Sequence, residues 1–198
     1  MIKVFLLIPI FLVTSCASID YTYFNNVKNI FSRNEIDVTD SFIDGFEYSF
    51  IKVSYGRNDA IFVLARVLND GSFEWIGSNY EVIRTKGGTI IETMGLESDI
   101  KFYDSQLPDF KNFKSSSHYI DLYDPDLIYE KLAFRYLDTK PAKKDSIYDQ
   151  VVTIQRASKT IGWESIDIYF YKDGAIRKSI QKINPLKPPI EIAFFLKY

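Results

Sequence analysis

The chain has one cysteine and one histidine in 198 residues. With a single thiol no internal disulfide can form, so stability has to come from a packed core rather than from covalent staples. The lone histidine, His118, leaves a serine triad with one candidate base beside Ser115, Ser116 and Ser117, and no nucleophile-elbow pattern accompanies it. No glycine-rich phosphate loop leads from a strand into a helix. An excess of either charge is missing too: 24 basic and 26 acidic residues form no strongly basic composition, so nucleic acid is not expected as a partner. The one continuous apolar run, residues 4–13, is about ten residues long, half of the ~20 that a membrane-spanning helix needs.

What stands around that short run is informative. Lys3 precedes it, and Val13-Thr14-Ser15-Cys16 follows it, which gives the charged start, apolar middle and small-residue end of an export signal. The cut is expected before Cys16, with residues 1–15 removed and one β-rich domain over residues 16–198. An ordinary secretory signal with an incidental cysteine is the alternative. Val13-Thr14-Ser15-Cys16 resembles the lipobox of bacterial lipoproteins, and that resemblance implies that Cys16 becomes the lipidated N-terminus. Three acyl chains, palmitate among them, exceed the two signals that stable attachment requires. Ala17 and Ser18 follow without the aspartate that retains such proteins at the inner membrane in enterobacteria-like sorting, so an outer-membrane anchor facing the periplasm is expected.

The remaining 183 residues suit a single domain with a sizeable core. Aromatics make up 16% of the chain, which favours sheet; they pack across strands or offer platforms on which sugars stack. Residues 19–32 place Tyr21, Phe24, Val27, Ile30 and Phe31 near helical spacing behind Asp20, an amphipathic helix expected to pack on the sheet. Residues 36–39 read as a short strand, and Thr39-Asp40-Ser41 before Phe42-Ile43 as a helical turn running to Gly45. From Phe46 the period becomes two.

Strands are expected over residues 46–55, 60–68, 72–76, 80–85 and 89–94, separated by Gly56-Arg57-Asn58-Asp59, Asn69-Asp70-Gly71, Gly77-Ser78-Asn79 and Lys86-Gly87-Gly88. Residues 96–117 read mostly as loop, with short structure near 100–103. Strands resume at 118–122 and 128–137 around an Asp124-Pro125-Asp126 turn. Residues 139–145, with Pro141 and three lysines, read as an exposed hairpin tip. Strands at 148–156, 163–171 and 175–183 follow, the last two joined by Asp173-Gly174, and residues 190–196 close the series. Roughly ten strands are too many for a flat open sheet. The fold class is therefore mainly β: an antiparallel barrel-like or strongly curved sheet with an N-terminal helix.

No convincing chemistry appears along these strands. Asp121, Asp124 and Asp126 offer carboxylates for calcium but lack EF-hand spacing, and Asp-Pro-Asp reads first as a turn. Twenty-six acidic residues contain carboxylate pairs by chance, so none is singled out for glycoside hydrolysis. No residue is expected to be catalytic or to bind a metal, and no cofactor is expected.

In order, the chain carries Ile36-Asp37-Val38-Thr39-Asp40, Ile61-Phe62-Val63-Leu64, Trp75, the Lys86-Gly87-Gly88 turn with Thr89-Ile90, and Thr93-Met94-Gly95-Leu96. It ends with Asp173-Gly174-Ala175-Ile176-Arg177-Lys178-Ser179-Ile180-Gln181 and Pro188-Pro189-Ile190-Glu191 before Leu196-Lys197. This order, behind the lipobox, resembles the YjbF/GfcB family of lipoproteins of group 4 capsule and related exopolysaccharide systems. Thr89, where a basic residue is expected, and the terminal Tyr198 depart from the family pattern. The resemblance implies a barrel-like β domain on an outer-membrane anchor, a non-enzymatic accessory to polysaccharide secretion with polysaccharide or secretion-system proteins as partners. A lipocalin-like carrier of lipid or glycan is the alternative, and a glycan-processing enzyme a more distant one. A carrier needs an open interior, whereas an accessory needs only an exposed contact surface.

Overall fold

The structure is a computed structural model that describes residues 36–103, 115–142 and 146–197. The signal segment, Cys16 and the helix expected over residues 19–32 lie outside the described residues. Among the described residues twelve strands, rather than about ten, run antiparallel: β1 (Phe50–Tyr55), β2 (Asn58–Val67), β3 (Phe73–Ile76), β4 (Val82–Lys86), β5 (Thr89–Met94) and β6 (Ile100–Phe102) in the first half. The second half supplies β7 (Ser116–Tyr123), β8 (Asp126–Pro141), β9 (Gln150–Ser158), β10 (Trp163–Lys172), β11 (Ala175–Gln181) and β12 (Ile190–Phe195). Each pairs with its neighbour in sequence, and β12 returns to β1, so the sheet closes into a barrel. Closure removes the edges that a meander of this length otherwise exposes.

Alternation along each strand divides wall from interior. In β9, Val152, Ile154, Arg156 and Ser158 are buried while the residues between them are half-exposed, and β12 buries Ile190, Ile192 and Phe194 in the same rhythm. Strand β1 departs from it, because Phe50 and Ile51 are both fully buried. Ile51 joins the barrel core. Phe50 instead packs with Phe42, Phe46 and Phe195, its ring stacked on Phe195 at 4.7 Å between centroids. The helix α1 (Asp40–Gly45) carries Phe42 over this place. Thr39 caps it, its Oγ1 accepting the Phe42 N–H at 3.2 Å, and Asp40 sits in the first turn where the helix dipole favours a negative charge.

Three local expectations change. Residues 46–49 do not extend β1: Phe46 caps the C-terminus of α1, so apolar alternation there reflects packing of rings rather than strand. Residues 36–39 form no strand, although Thr39 is extended. They are tied to the wall by polar contacts instead, with Ile36 N–H donating to Asp59 Oδ2 at 2.8 Å and Lys52 Nζ to Ile36 O at 2.6 Å. Burial pushes the Asp59 carboxyl up, but the Lys52 ammonium, the Ser54 hydroxyl and the Ile36 amide together hold it below its usual value. The supposed tip at 139–145 begins as strand, since β8 runs to Pro141, which pairs with Gln150. Its lysine alternates outward from a wall, which from sequence alone looks like a solvated loop.

The outer wall carries a ladder of alternating charge that no single segment reveals. Register places Arg66 opposite Glu74, Glu74 opposite Arg84, Arg84 opposite Glu92 and Glu92 opposite Lys101. The ion pairs measure 2.7, 2.9, 2.5 and 3.7 Å across five strands. Cross-strand pairs of opposite charge stabilise a sheet at each step. The Arg66 side chain lowers the Glu74 carboxyl below its usual pKa against the effect of burial, and Arg84 adds to it. A folded-state pKa below the unfolded value gives stability that is present above about pH 4 and lost as pH falls through the folded value. Glu74→Gln is therefore expected to cost about 1–2 kcal/mol at pH 7. The gap between variant and native chain should be smaller at pH 3 than at pH 7. Urea titrations at both pH values check this; a gap that is unchanged at low pH would assign the loss to packing instead.

Candidate functional site

Inside the barrel, large side chains occupy the interior: Trp75, Phe62, Phe134, Arg156 and Tyr169 are among the most fully buried. Trp75 Nε1–H donates to Thr85 Oγ1 at 2.8 Å. A polar group lies among them. Arg156 donates from Nε and Nη2 to Asp167 Oδ2 at 3.0 and 2.5 Å, and its guanidinium lies 5.0 Å from the centre of the Phe134 ring. The Asp167 Oδ1 accepts the Lys182 N–H at 3.0 Å. Thr89 is fully buried and donates to Tyr169 Oη at 3.3 Å. Burial pushes the Tyr169 phenol up, which keeps it neutral.

Gln181 explains how one hairpin is drawn into this interior. Its Oε1 accepts the Ile90 N–H at 3.0 Å and its Nε2 donates to Gly88 O at 2.8 Å, so one side-chain amide mimics the two-bond pattern of a strand neighbour. Gly88 has φ +82°, and a Cβ there would fall 2.0 Å from Ile176 Cδ1. The tip of the β4–β5 hairpin thus leans on β11, a close approach that only glycine permits.

His118 faces the same interior. It is 3% exposed, its Nε2 lies 2.8 Å from Ser116 Oγ, and its ring meets Phe102 and Phe134 edge-on. A general base must reach its substrate's proton, and this ring is enclosed by aromatic neighbours. The three aspartates do not converge. Asp121 lies on the outer wall, where it accepts the Tyr129 N–H at 2.8 Å. Asp124 pairs with Lys187 at 2.9 Å at one end of the barrel, and Asp126 starts β8 opposite Tyr123. Among the described residues no group of three His, Cys, Asp or Glu side chains is placed to hold a metal ion.

That end of the barrel is crossed by the connection from β11 to β12. Ile183 and Asn184 are buried in it, with Asn184 Nδ2 donating to Ser98 Oγ and Asp124 O. Lys187 bridges Glu97 and Asp124, and these bonds raise its pKa above the usual lysine value. Beside this strap opens a cleft of about 300 Å³ with an apolar floor of Val53, Phe62, Leu96 and Ile190 and a rim that includes Glu81 and Glu97. Burial, and then the Glu97 charge, raises the Tyr55 phenol. The lining of the cleft holds no serine, threonine, cysteine, lysine or histidine; its acidic groups are the Asp59, Glu81 and Glu97 carboxyls and the Tyr55 phenol.

The outer wall of β6 to β8 holds a second concentration of unusual residues. Tyr119 and Tyr129 stack face to face, 4.2 Å apart and 9° from parallel, and Tyr103 meets Tyr129 edge-on at 5.4 Å. Asp121 holds the group together by accepting both the Tyr103 hydroxyl and the Tyr129 amide. Its carboxylate raises the Tyr103 phenol. The register slips between Ile120 and Leu122, and Tyr129 adopts φ +56° opposite that slip. Such irregularities re-aim a side chain. In the sequence, Tyr119, Asp121 and Tyr123 at alternate positions beside the apolar His118, Ile120 and Leu122 face are the signal for an aromatic outer wall; its partners Tyr103 and Tyr129 become visible only through strand pairing.

Residues 24–195 match the family model described as "Group 4 capsule polysaccharide lipoprotein gfcB, YjbF". The crystal structure of the hypothetical lipoprotein YmcC from Escherichia coli (K12) has a similar fold, with a TM-score of 0.63, 17% identity, and coverage of 81% of this chain and 90% of that one. A Parabacteroides distasonis protein described as a lipoprotein gives a TM-score of 0.33 at 13% identity over 76% of this chain and 95% of that one. No curated protein sequence matches the chain. With the family model spanning nearly all of the barrel, the chain belongs to the YjbF family of group 4 capsule polysaccharide lipoproteins.

Proposed function

We propose that the protein is held by lipid on Cys16 at the periplasmic face of the outer membrane and serves capsule or exopolysaccharide secretion there as a non-enzymatic accessory. The observation that carries this reading is the family match over residues 24–195 behind the Val13-Thr14-Ser15-Cys16 motif. The side chains inside the barrel support it as well. Trp75, Phe62, Phe134, Arg156 and Tyr169 take interior positions that a lipocalin-like carrier would leave open, so the outer wall and the strapped end are the surfaces available to partners. The enclosed His118 supports a role without catalysis.

Two variants test this. Cys16→Ala removes the lipid and is expected to reduce polysaccharide at the cell surface several-fold. His118→Gln keeps a polar partner for Ser116 and should leave secretion at the native level. Surface polysaccharide is measured in both strains with protein abundance alongside, and fractionation locates the native protein. Loss of secretion in an abundant His118→Gln strain would turn the case towards an enzyme. Normal secretion with unlipidated protein would favour a diffusible carrier, and native protein in the inner membrane would overturn the assigned location.

A further inference from the structure

The geometry points to the wall formed by Tyr103, Tyr119, Tyr129 and Asp121 as a contact surface for the pyranose rings of a polysaccharide. This rests on the proposed role in secretion and names the ligand that the role brings to the barrel. Tyr103 and Tyr129 are 49% and 58% exposed, and neighbouring Tyr123 and Ile128 are 60% and 77% exposed. Large apolar side chains at one place on a wall mark an interaction site more often than scattered ones do. Here the rings are also fixed. Tyr129 is stacked on Tyr119 and flanked by Tyr103, and its backbone is held by Asp121 in a left-handed conformation that bulky residues seldom adopt. The fold keeps this costly arrangement where the ring meets water rather than in the core.

The chemistry of the wall selects the ligand. A tyrosine ring presents an apolar face and a hydroxyl edge, and a pyranose presents the complementary pair, a face of C–H bonds and a rim of hydroxyls. Asp121 supplies acceptor oxygens at the same level, and Lys101, opposite Asp121 in the register, and Lys131, opposite Tyr119, supply donors. A protein partner would be expected to find an apolar core at the centre of its contact area; at this wall the rings alternate with charged residues instead. Fixed rings also lose little freedom when a flexible polymer lies across them.

The test uses the mature lipidated protein in detergent and polysaccharide purified from the surface of the same cells, with migration measured in gels containing increasing polymer. The native protein should be retarded. Tyr129→Gly removes the ring while suiting the backbone conformation, and Tyr119→Ala removes its stacking partner; both should bind at least about tenfold more weakly, a loss of about 1.4 kcal/mol. Tyr48→Ala, which removes a ring that is 52% exposed elsewhere, should be retarded like the native chain. Thermal melts confirm that each variant is folded. An unretarded native protein overturns the inference and leaves the secretion role to the Cys16→Ala strain, while equal retardation of native and Tyr129→Gly proteins places polymer binding elsewhere and also overturns it. Cross-linking from this wall to a secretion protein, with no effect of polymer, would replace the glycan by a protein partner.

Discussion

A chain ending at Pro189 is expected to lose cooperative folding altogether. Strand β12 is the seam of the barrel: all six of its residues have partners in β1, and four of them also pair with β11. Removing it leaves two strands with unpaired backbone groups along their edges. It also strips Ile190, Ile192 and Phe194 from the core and the Phe195 ring from Phe50. Three buried apolar side chains are together worth about 5–9 kcal/mol on transfer alone. Set against a total stability of about 5–15 kcal/mol, that loss, with the uncovered partners and unmade hydrogen bonds, is sufficient to unfold a domain of this size. No disulfide is available to hold the ends, since the chain's one cysteine is Cys16. The truncated chain should show a shallow, non-cooperative urea titration and strong binding of a hydrophobic dye. A sharp melt close to that of the native chain would show that β1 and β11 close the sheet without it.

Much of the strand series was readable from local signals, and the reasons are physical. Strand β5 has the bounds expected of it, Thr89–Met94, because Gly87, Gly88 and Gly95 all take positive φ at its margins. Asp173 and Gly174 likewise take φ +53° and +72°, the two left-handed residues that a tight hairpin requires. Closure followed from strand number, because a long antiparallel series has to dispose of its edges. What depended on register was hidden. The ladder from Arg66 to Lys101 joins five strands, and each of its charges, read alone, is only a polar residue facing water. The same holds for Tyr103, Tyr119 and Tyr129, which strand pairing and one irregular register bring together. Phe46 shows the opposite failure: alternation suggested strand, but ring packing against Phe42 and Phe50 outweighs it. Period alone does not say which surface an apolar residue is covering.

The buried ion pair was the least legible feature of all and carries the second large expectation. Arg156→Met should destabilise the barrel by about 3–5 kcal/mol, since it leaves Asp167 without its countercharge in a site that solvent does not reach. The pH dependence identifies the cause. Burial pushes the Asp167 carboxyl up, and the Arg156 guanidinium, with a smaller part from the Lys182 amide, opposes it. Without Arg156 the folded-state pKa rises further above the unfolded value of about 4. A raised carboxyl pKa gives stability that is fully present below the unfolded value and lost as pH rises through the folded one. The variant should therefore be closest to the native chain near pH 4 and fall progressively behind it towards pH 7. Adding Asp167→Leu removes the stranded charge, and the double variant should recover most of the loss even though the Lys182 amide gives up its acceptor. Urea titrations of the two single variants, the double variant and the native chain at both pH values form the cycle. If Arg156→Met costs less than about 1 kcal/mol at pH 7, or if its cost does not change with pH, water reaches this site and Arg156 is not what compensates the Asp167 charge.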